Sequence, residues 1–385
     1  MNHILKCHEI VKTDFVRGEN CYLYDSQGKR YVDFESGIWS TVLGHGYPSI
    51  NKVIRTQIEK VIHLGTRYPH TLSEEAAKNL LNIVGIDGGK CVFLSSGSEA
   101  VEFAVQTARR TTKKSLILTF SNSYLAAYGS AGRKSTDEWW LFDGNNCIYP
   151  DPKECLKGIP FDSIGAFVFE PGGSGSVFVK FPPKQLVQDI AQRIKQEGGL
   201  IVANEVTTGM GRTGKWFGFQ HYDIQPDIIP IGKGLGNGYP VSAVAMRGDI
   251  AESLEDSGFH YAQSHQNDPL GCAVAKEVIA TLGDENWIDR GNVVGAFFLE
   301  GLKKLVDKYV VLKEARGRGV LLGLEFYPHE RISVDWIYHA LLEQGFIVGY
   351  YPAGNVLRFD PPLTVEKEDI THLLDCIESI LENAG

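Results

Sequence analysis

"GLIVANEVTTGMGRTG", residues 199–214, sets the reading of the whole chain. Leu200 to Ala203 form a short apolar run of the kind that makes a strand buried on both faces. The run stops at Asn204 and Glu205, and a loop punctuated by Gly209, Gly211 and Gly214 follows. The same grammar recurs on either side. "KCVFL" (90–94) runs into the helical "SSGSEAVEFAVQTARRTT" (95–112), and "SLILTF" (115–120), "IGAFVFE" (164–170) and "DIIPIG" (227–232) are further short apolar strands. "PPKQLVQDIAQRIKQEGG" (182–199) reads as a helix closed by glycine. Apolar strands alternating with amphipathic helices predict an α/β fold, with a mostly parallel sheet covered on both faces.

The flanks differ. "CYLYDSQGKRYVDFESG" (21–37) alternates apolar and polar residues around a Ser-Gln-Gly turn, which predicts a small β-meander. After residue 268, helical stretches (269–283, 290–309, 368–384) mix with the strands "VLLGLEFY", "FIVGYY" and "NVLRFDPP". The expected division is a large domain over 49–268 and a smaller α+β domain over 269–385, joined by the N-terminal segment 1–48.

Composition narrows the classes. A chain of 385 residues has room for two domains, and 43% hydrophobic with 22% charged residues is ordinary for a globular protein. A net charge of -9 argues against a nucleic-acid partner. The opening "MNHILKCHEIVK" is polar and broken, unlike a signal peptide, and no apolar run reaches the ~20 residues of a membrane span. A cytoplasmic protein without a membrane partner is expected. The seven cysteines, at 7, 21, 91, 147, 155, 272 and 376, stand singly with no CxxC pair, so reduced thiols and no metal site are expected.

In open α/β sheets, ligands bind beyond the carboxyl ends of the strands. Polar residues collected just after each apolar run are Ser95-Ser96-Gly97-Ser98, Glu170, Asn204-Glu205, and Lys233 between Gly232 and Gly234. "SSGSEA" entering a helix offers backbone N–H groups, hydroxyls and a positive dipole end, which suit phosphate; Ser-x-x-Glu is equally a plain capping box. A lysine set between glycines after a buried strand can lose its proton by desolvation and act as a nucleophile. Phosphate cradle, lysine and a polar group for a ring nitrogen are together what pyridoxal phosphate requires.

"YLYDSQGKRYVDFESGIWSTVLGHGYP", "SSGSEAVEFAVQTAR", "FEPGGSG", "NEVTTGMGRTG", "PDIIPIGKGLGNGYPVSAV", "NDPLGCAVA" and "VLRFDPPLT" follow one another over almost the whole chain. In order and spacing they resemble the class III aminotransferases of the fold-type-I pyridoxal-phosphate enzymes, and the shorter, acetylornithine-like members most. The resemblance implies a seven-stranded, mostly parallel sheet in the large domain. It implies that Lys233 forms the Schiff base with the cofactor and shuttles a proton. Gly97 and Ser98 would hold the phosphate, Tyr124 and Val206 would sandwich the ring, and Glu170 would lie near the ring hydroxyl. Ser264 falls where the family reaches the phosphate of the other subunit, which implies a homodimer with shared sites. Arg358 would grip a substrate carboxylate, and Trp39 would line the pocket. The partners so implied are a small amino acid and a keto acid.

Four departures from the family stand out. Asn204 replaces an aspartate whose charge keeps the ring nitrogen protonated; a neutral amide can bond either form but supplies no charge. A weaker electron sink leaves three readings open: a slow or specialised aminotransferase, an amino-acid racemase or epimerase on the same scaffold, or an altered copy that binds cofactor with little turnover. Thr207 stands for a glutamine, and Leu125 for a histidine. The "EPGGSGS" loop looks one residue short and lacks a glutamate to pair with Arg358, so Arg358 is expected to stay available for a carboxylate.

Overall fold

The computed structural model describes residues 3–8, 10–144, 151–172 and 179–384. Its strands are β1 (Phe15–Glu19), β2 (Tyr22–Asp25), β3 (Arg30–Asp33), β4 (Lys90–Leu94), β5 (Leu116–Phe120), β6 (Trp139–Phe142), β7 (Ile164–Phe169), β8 (Leu200–Ala203), β9 (Ile228–Ile231), β10 (Ser242–Met246), β11 (Leu312–Arg318), β12 (Leu321–Phe326), β13 (Phe346–Ile347), β14 (Gly349–Tyr351) and β15 (Val356–Phe359). Seven of them form one sheet in the order β4-β10-β9-β8-β7-β5-β6.

The apolar runs make the centre of this sheet because they can be covered twice. Every residue of β7, β8, β9 and β10 is buried. Alternation along β7 shows how. Phe167 and Phe169 pack with Leu186, Val187 and Ile190 of the helix Lys184–Gln196, while Ala166 and Val168 pack with Ala100, Val101 and Ala104 of the helix Gly97–Thr112. A period of two thus sends one strand's side chains into two separate cores.

β5, β6, β7, β8 and β9 run parallel, and β10 runs against both β9 and β4. The link from β9 to β10 holds only a short 3-10 turn, Lys233–Gly236, and no crossover helix, so β10 must return antiparallel. β4, on the far side of β10, is parallel to the rest again. The carboxyl ends of β4, β5, β7, β8 and β9 therefore share one rim.

Two smaller sheets complete the fold, β1-β2-β3-β13 and β11-β12-β15-β14. The expected meander is present, and its last strand pairs in parallel with β13, tying the N-terminal segment to the C-terminal third of the chain. Just after β3 the backbone does something the sequence did not announce. Ser36, Gly37, Ile38 and Trp39 have φ of 51°, 55°, 59° and 66°, a full turn of left-handed helix. Each non-glycine residue costs about 1–2 kcal/mol there, and a β-branched Ile38 is the least suited. The Asp33 carboxylate holds the entry, accepting N–H bonds from Glu35 and Ser36 at 2.9 Å each.

One expectation is corrected. Cys155 is disulfide-bonded, so the thiols are not all reduced; residues spaced singly in sequence can still meet in space. Cys147 lies outside the described residues. Among the described residues no helix is long and apolar enough to cross a membrane.

Candidate active site

The rim assembles from its floor upward. At the end of β4, Ser96 caps the helix Gly97–Thr112 in a reciprocal capping box with Glu99, whose carboxylate also takes the Ser95 N–H at 3.0 Å. The capping reading of this motif is therefore correct, and it leaves the phosphate reading intact. The box uses the third helical N–H, while those of Gly97 and Ser98 have no acceptor within the helix. Ser98 Oγ accepts the Ala127 N–H at 2.9 Å and keeps its own proton to donate. Gly97 must lack a side chain, since a Cβ there would sit 2.5 Å from Val206 Cγ1. Gly232 packs against the same two residues, so Gly97, Val206 and Gly232 meet at one point.

Lys233 opens the turn after β9 with φ of 47°, an unusual conformation for a residue with a side chain. Its Nζ donates to Thr207 Oγ1 at 3.2 Å and lies 4.3 Å from the centre of the Trp39 ring. Burial drives its acidity, lowering the ammonium to about 8; Glu170 pulls the other way, and Arg358 adds to the fall. Thr207 thus holds the lysine amine. In the free protein the neutral amine becomes the major form above about pH 8. The rate of pyridoxal-phosphate capture by cofactor-free protein is expected to rise with pH and level off above that value. Stopped-flow absorbance checks it, and a flat profile from pH 6 to 10 would refute the role of burial.

Asn204 and Glu205 point to opposite sides. Glu205 takes Thr208 Oγ1 at 2.6 Å and the N–H groups of Gly218 and Phe219 at 2.9 and 2.7 Å, which fastens the loop beneath the rim. Burial raises that carboxyl to about 7 against these bonds. Asn204, 4% exposed, accepts the Val206 N–H on Oδ1 at 3.2 Å. Glu170 is buried at the end of β7 and takes the Tyr124 N–H at 3.0 Å. Tyr124 is 54% exposed, and Leu125 is buried in the core. Ser264 is exposed on a turn before the helix Pro269–Asp284 and makes no hydrogen bond to the Lys233 cluster. Beside it, His63 and His265 both bond the Asp268 carboxylate.

Arg358 departs from expectation. It is 1% exposed and already held on three sides: Nε by Asp360 at 2.5 Å, Nη2 by Glu35 at 2.8 Å and Nη1 by the Tyr351 hydroxyl at 2.5 Å. Its guanidinium stacks on Trp39, 3.9 Å from the ring centre. It is not free for a carboxylate. Residues 173–176 of the 170–176 loop lie outside the described residues, and the partner of Arg358 comes instead from the end of the meander. Glu35 was legible only as a charge beside "SGIW". Burial lifts its carboxyl to about 7 while Arg358 pulls it down. Gly349 belongs to this site too, because a Cβ there would lie 2.5 Å from Arg358 Nη2.

The residues fit pyridoxal phosphate by their own chemistry. A cradle that excludes a Cβ at Gly97 sits beside free helix N–H groups. A buried lysine has a lowered proton affinity. Among the described residues, the buried Trp39 Nε1 has no hydrogen-bond partner.

Comparisons with known proteins show what this chain is similar to. The family model described as Aminotransferase class-III matches residues 6–128 and 154–381. The acetylornithine aminotransferase of Aquifex aeolicus is 31% identical, over 99% of this chain and 100% of its own length. The leucine/methionine racemase of Thermococcus litoralis is 30% identical over 94% of this chain and 89% of its own. The crystal structure of an acetylornithine aminotransferase from Elizabethkingia anophelis superimposes with a TM-score of 0.85 at 26% identity, covering 99% of this chain and 96% of that one.

Proposed function

This chain belongs to the class-III aminotransferases, enzymes that use pyridoxal phosphate, and from that premise we propose that it moves an amino group from a carboxylate-bearing amino acid to a keto acid, with Glu35 yielding its place on Arg358 to the substrate. The observation that carries the proposal is Lys233: a buried amine of lowered proton affinity, bonded to Thr207 and set between the phosphate cradle and Arg358. When bound, the cofactor supplies the aldehyde and the electron-withdrawing ring. The chain's own residues do the rest. Gly97 and Ser98 would hold the phosphate by N–H and hydroxyl, and Val206 would pack against the ring. Lys233 would hold the cofactor through its amine and, when that amine is free, would take and return the proton at the substrate α carbon. Thr207 keeps the amine aimed. Trp39 covers it and excludes water.

Arg358 and its neighbours explain how one substrate group is recognised. Asp360 is wholly buried and fixed, whereas the Glu35 side chain is 28% exposed, so Glu35 is the displaceable partner. A planar carboxylate can then take the same fork. Protonation of Glu35 below about 7 loosens its hold on Arg358, so the KM for an amino-acid donor should fall as pH drops through that value. Glu35→Gln is expected to lower the KM about tenfold, roughly 1.4 kcal/mol, and to flatten its pH dependence. Steady-state kinetics with a panel of L- and D-amino acids and a keto-acid acceptor tests both points; turnover of carboxylate-free amines, with no response to Glu35→Gln, would overturn the substrate class. The racemase relative and Asn204 favour α-proton exchange as a second outcome. The same assay in deuterium oxide separates the two, since racemisation incorporates deuterium without releasing keto acid. A homodimer belongs to this reading, with the exposed Ser264 and Tyr124 turned toward a second copy.

A further inference from the structure

We infer that Asn204 presents an N–H, and not an oxygen, to the ring nitrogen of the cofactor, and thereby keeps that nitrogen unprotonated. The inference rests on the reading of this site as a pyridoxal-phosphate site, and it closes a choice that the sequence leaves open. An amide can serve either form of a ring nitrogen, donating to a bare lone pair or accepting from an N–H. The fold decides which end is offered. Oδ1 of Asn204 accepts the N–H of Val206, two residues on, at 3.2 Å. This is the local bond by which an asparagine closes a turn onto its own backbone. Rotating the amide by half a turn would set its NH2 against the same N–H, two donors face to face, so the orientation is fixed by the chain.

Nδ2 is then the end that remains, and it has no hydrogen-bond partner among the described residues. The residue is 4% exposed, and Nδ2 keeps what accessible surface it has. An N–H left without a protein acceptor is available to an acceptor in the site. The charged neighbours are committed elsewhere. Glu205 turns to Thr208, Gly218 and Phe219; Glu170 takes the Tyr124 N–H; Lys233 donates to Thr207. None of them supplies a carboxylate to stabilise a protonated ring. A pyridine nitrogen with its lone pair free is an acceptor, and a pyridinium is not. An aspartate at this place would take the Val206 N–H on one oxygen and hold the pyridinium N–H with the other. The substitution therefore reverses the direction of the bond to the cofactor as well as removing a charge.

The test is nitrogen-15 NMR of the holoprotein loaded with pyridoxal phosphate labelled at the ring nitrogen. The expected result is an unprotonated pyridine shift in the wild-type protein from pH 6 to 9, and a displacement to the pyridinium position in Asn204→Asp. A pyridinium shift in the wild-type protein, unchanged in Asn204→Asp, would overturn the inference while leaving the site assignment standing. Failure of the protein to retain the label, with no label fixed on Lys233 by borohydride, would overturn the site assignment and the inference with it.

Discussion

Lys233→Ala protein retains its fold and loses amino transfer by at least about 10³-fold. Proton transfer by a positioned group accounts for roughly 10² to 10⁴ in rate, and this lysine also provides the covalent anchor for the cofactor. Nothing nearby can replace it. Thr207, its hydrogen-bond partner, has no useful basicity at neutral pH, and Glu170 is a buried carboxylate occupied by the Tyr124 N–H. Two measurements define the outcome. Borohydride treatment followed by peptide mass analysis should place the reduced cofactor on Lys233 in the wild-type protein and on no residue in the variant. Single-turnover amino transfer should fall by the stated factor. A variant that transfers amino groups within tenfold of wild type would show that another base carries the proton.

Arg358→Ala has the second largest effect, and it falls on stability first. The guanidinium is the shared counterion of Asp360 and Glu35, and it stacks on Trp39. Truncating it leaves a wholly buried carboxylate at Asp360 without its ion-pair partner, with only the more distant Arg212 charge remaining. Removing one partner of a buried pair costs about 3–5 kcal/mol, because the other charge stays behind. Asp360 is already raised to about 6 by burial even with Arg358 and Arg212 pulling it down; without Arg358 it will take up a proton more readily still. Urea unfolding at pH 7 should show the loss, and the double variant Arg358→Ala/Asp360→Asn should recover part of it. A loss below about 1 kcal/mol would mean that solvent reaches Asp360 and that the pair is not buried in solution. In whatever protein remains folded, the KM for an amino-acid donor should rise far more than kcat falls.

The central sheet was legible because its strands are apolar throughout, a pattern that only double coverage explains. Lys233 and Gly97 were legible because the rim of such a sheet has a known chemical logic, and Val206 only through the family resemblance; the structure brings Gly97 and Val206 together at Gly232, next to Lys233 and its partner Thr207. Glu35 was not. A glutamate two residues after β3 looks like any exposed charge, and its meeting with Arg358 joins segments 323 residues apart. β10 was missed for a related reason. "SAVAM" is short and weakly apolar, and its place between β9 and β4 depends on the turn at Lys233 and not on its own composition. The left-handed course of residues 36–39 has no signature beyond Gly37, since Ser36, Ile38 and Trp39 each resist it; the local Asp33 bonds and the long-range bond from Ser36 Oγ to the Asp360 carbonyl override that preference.

That turn gives the site a mechanical property. Glu35 stands at its entrance and Trp39 at its exit, with one residue clamped on Arg358 and the other lying over both Arg358 and the Lys233 amine. They are the two ends of a single wound element of opposite hand to every helix around it. Unwinding that element shifts the clamp and the cover together. Opening the carboxylate fork and uncovering the amine are thus one movement of the backbone, so that recognition at one end of a substrate is geared to reaction at the other.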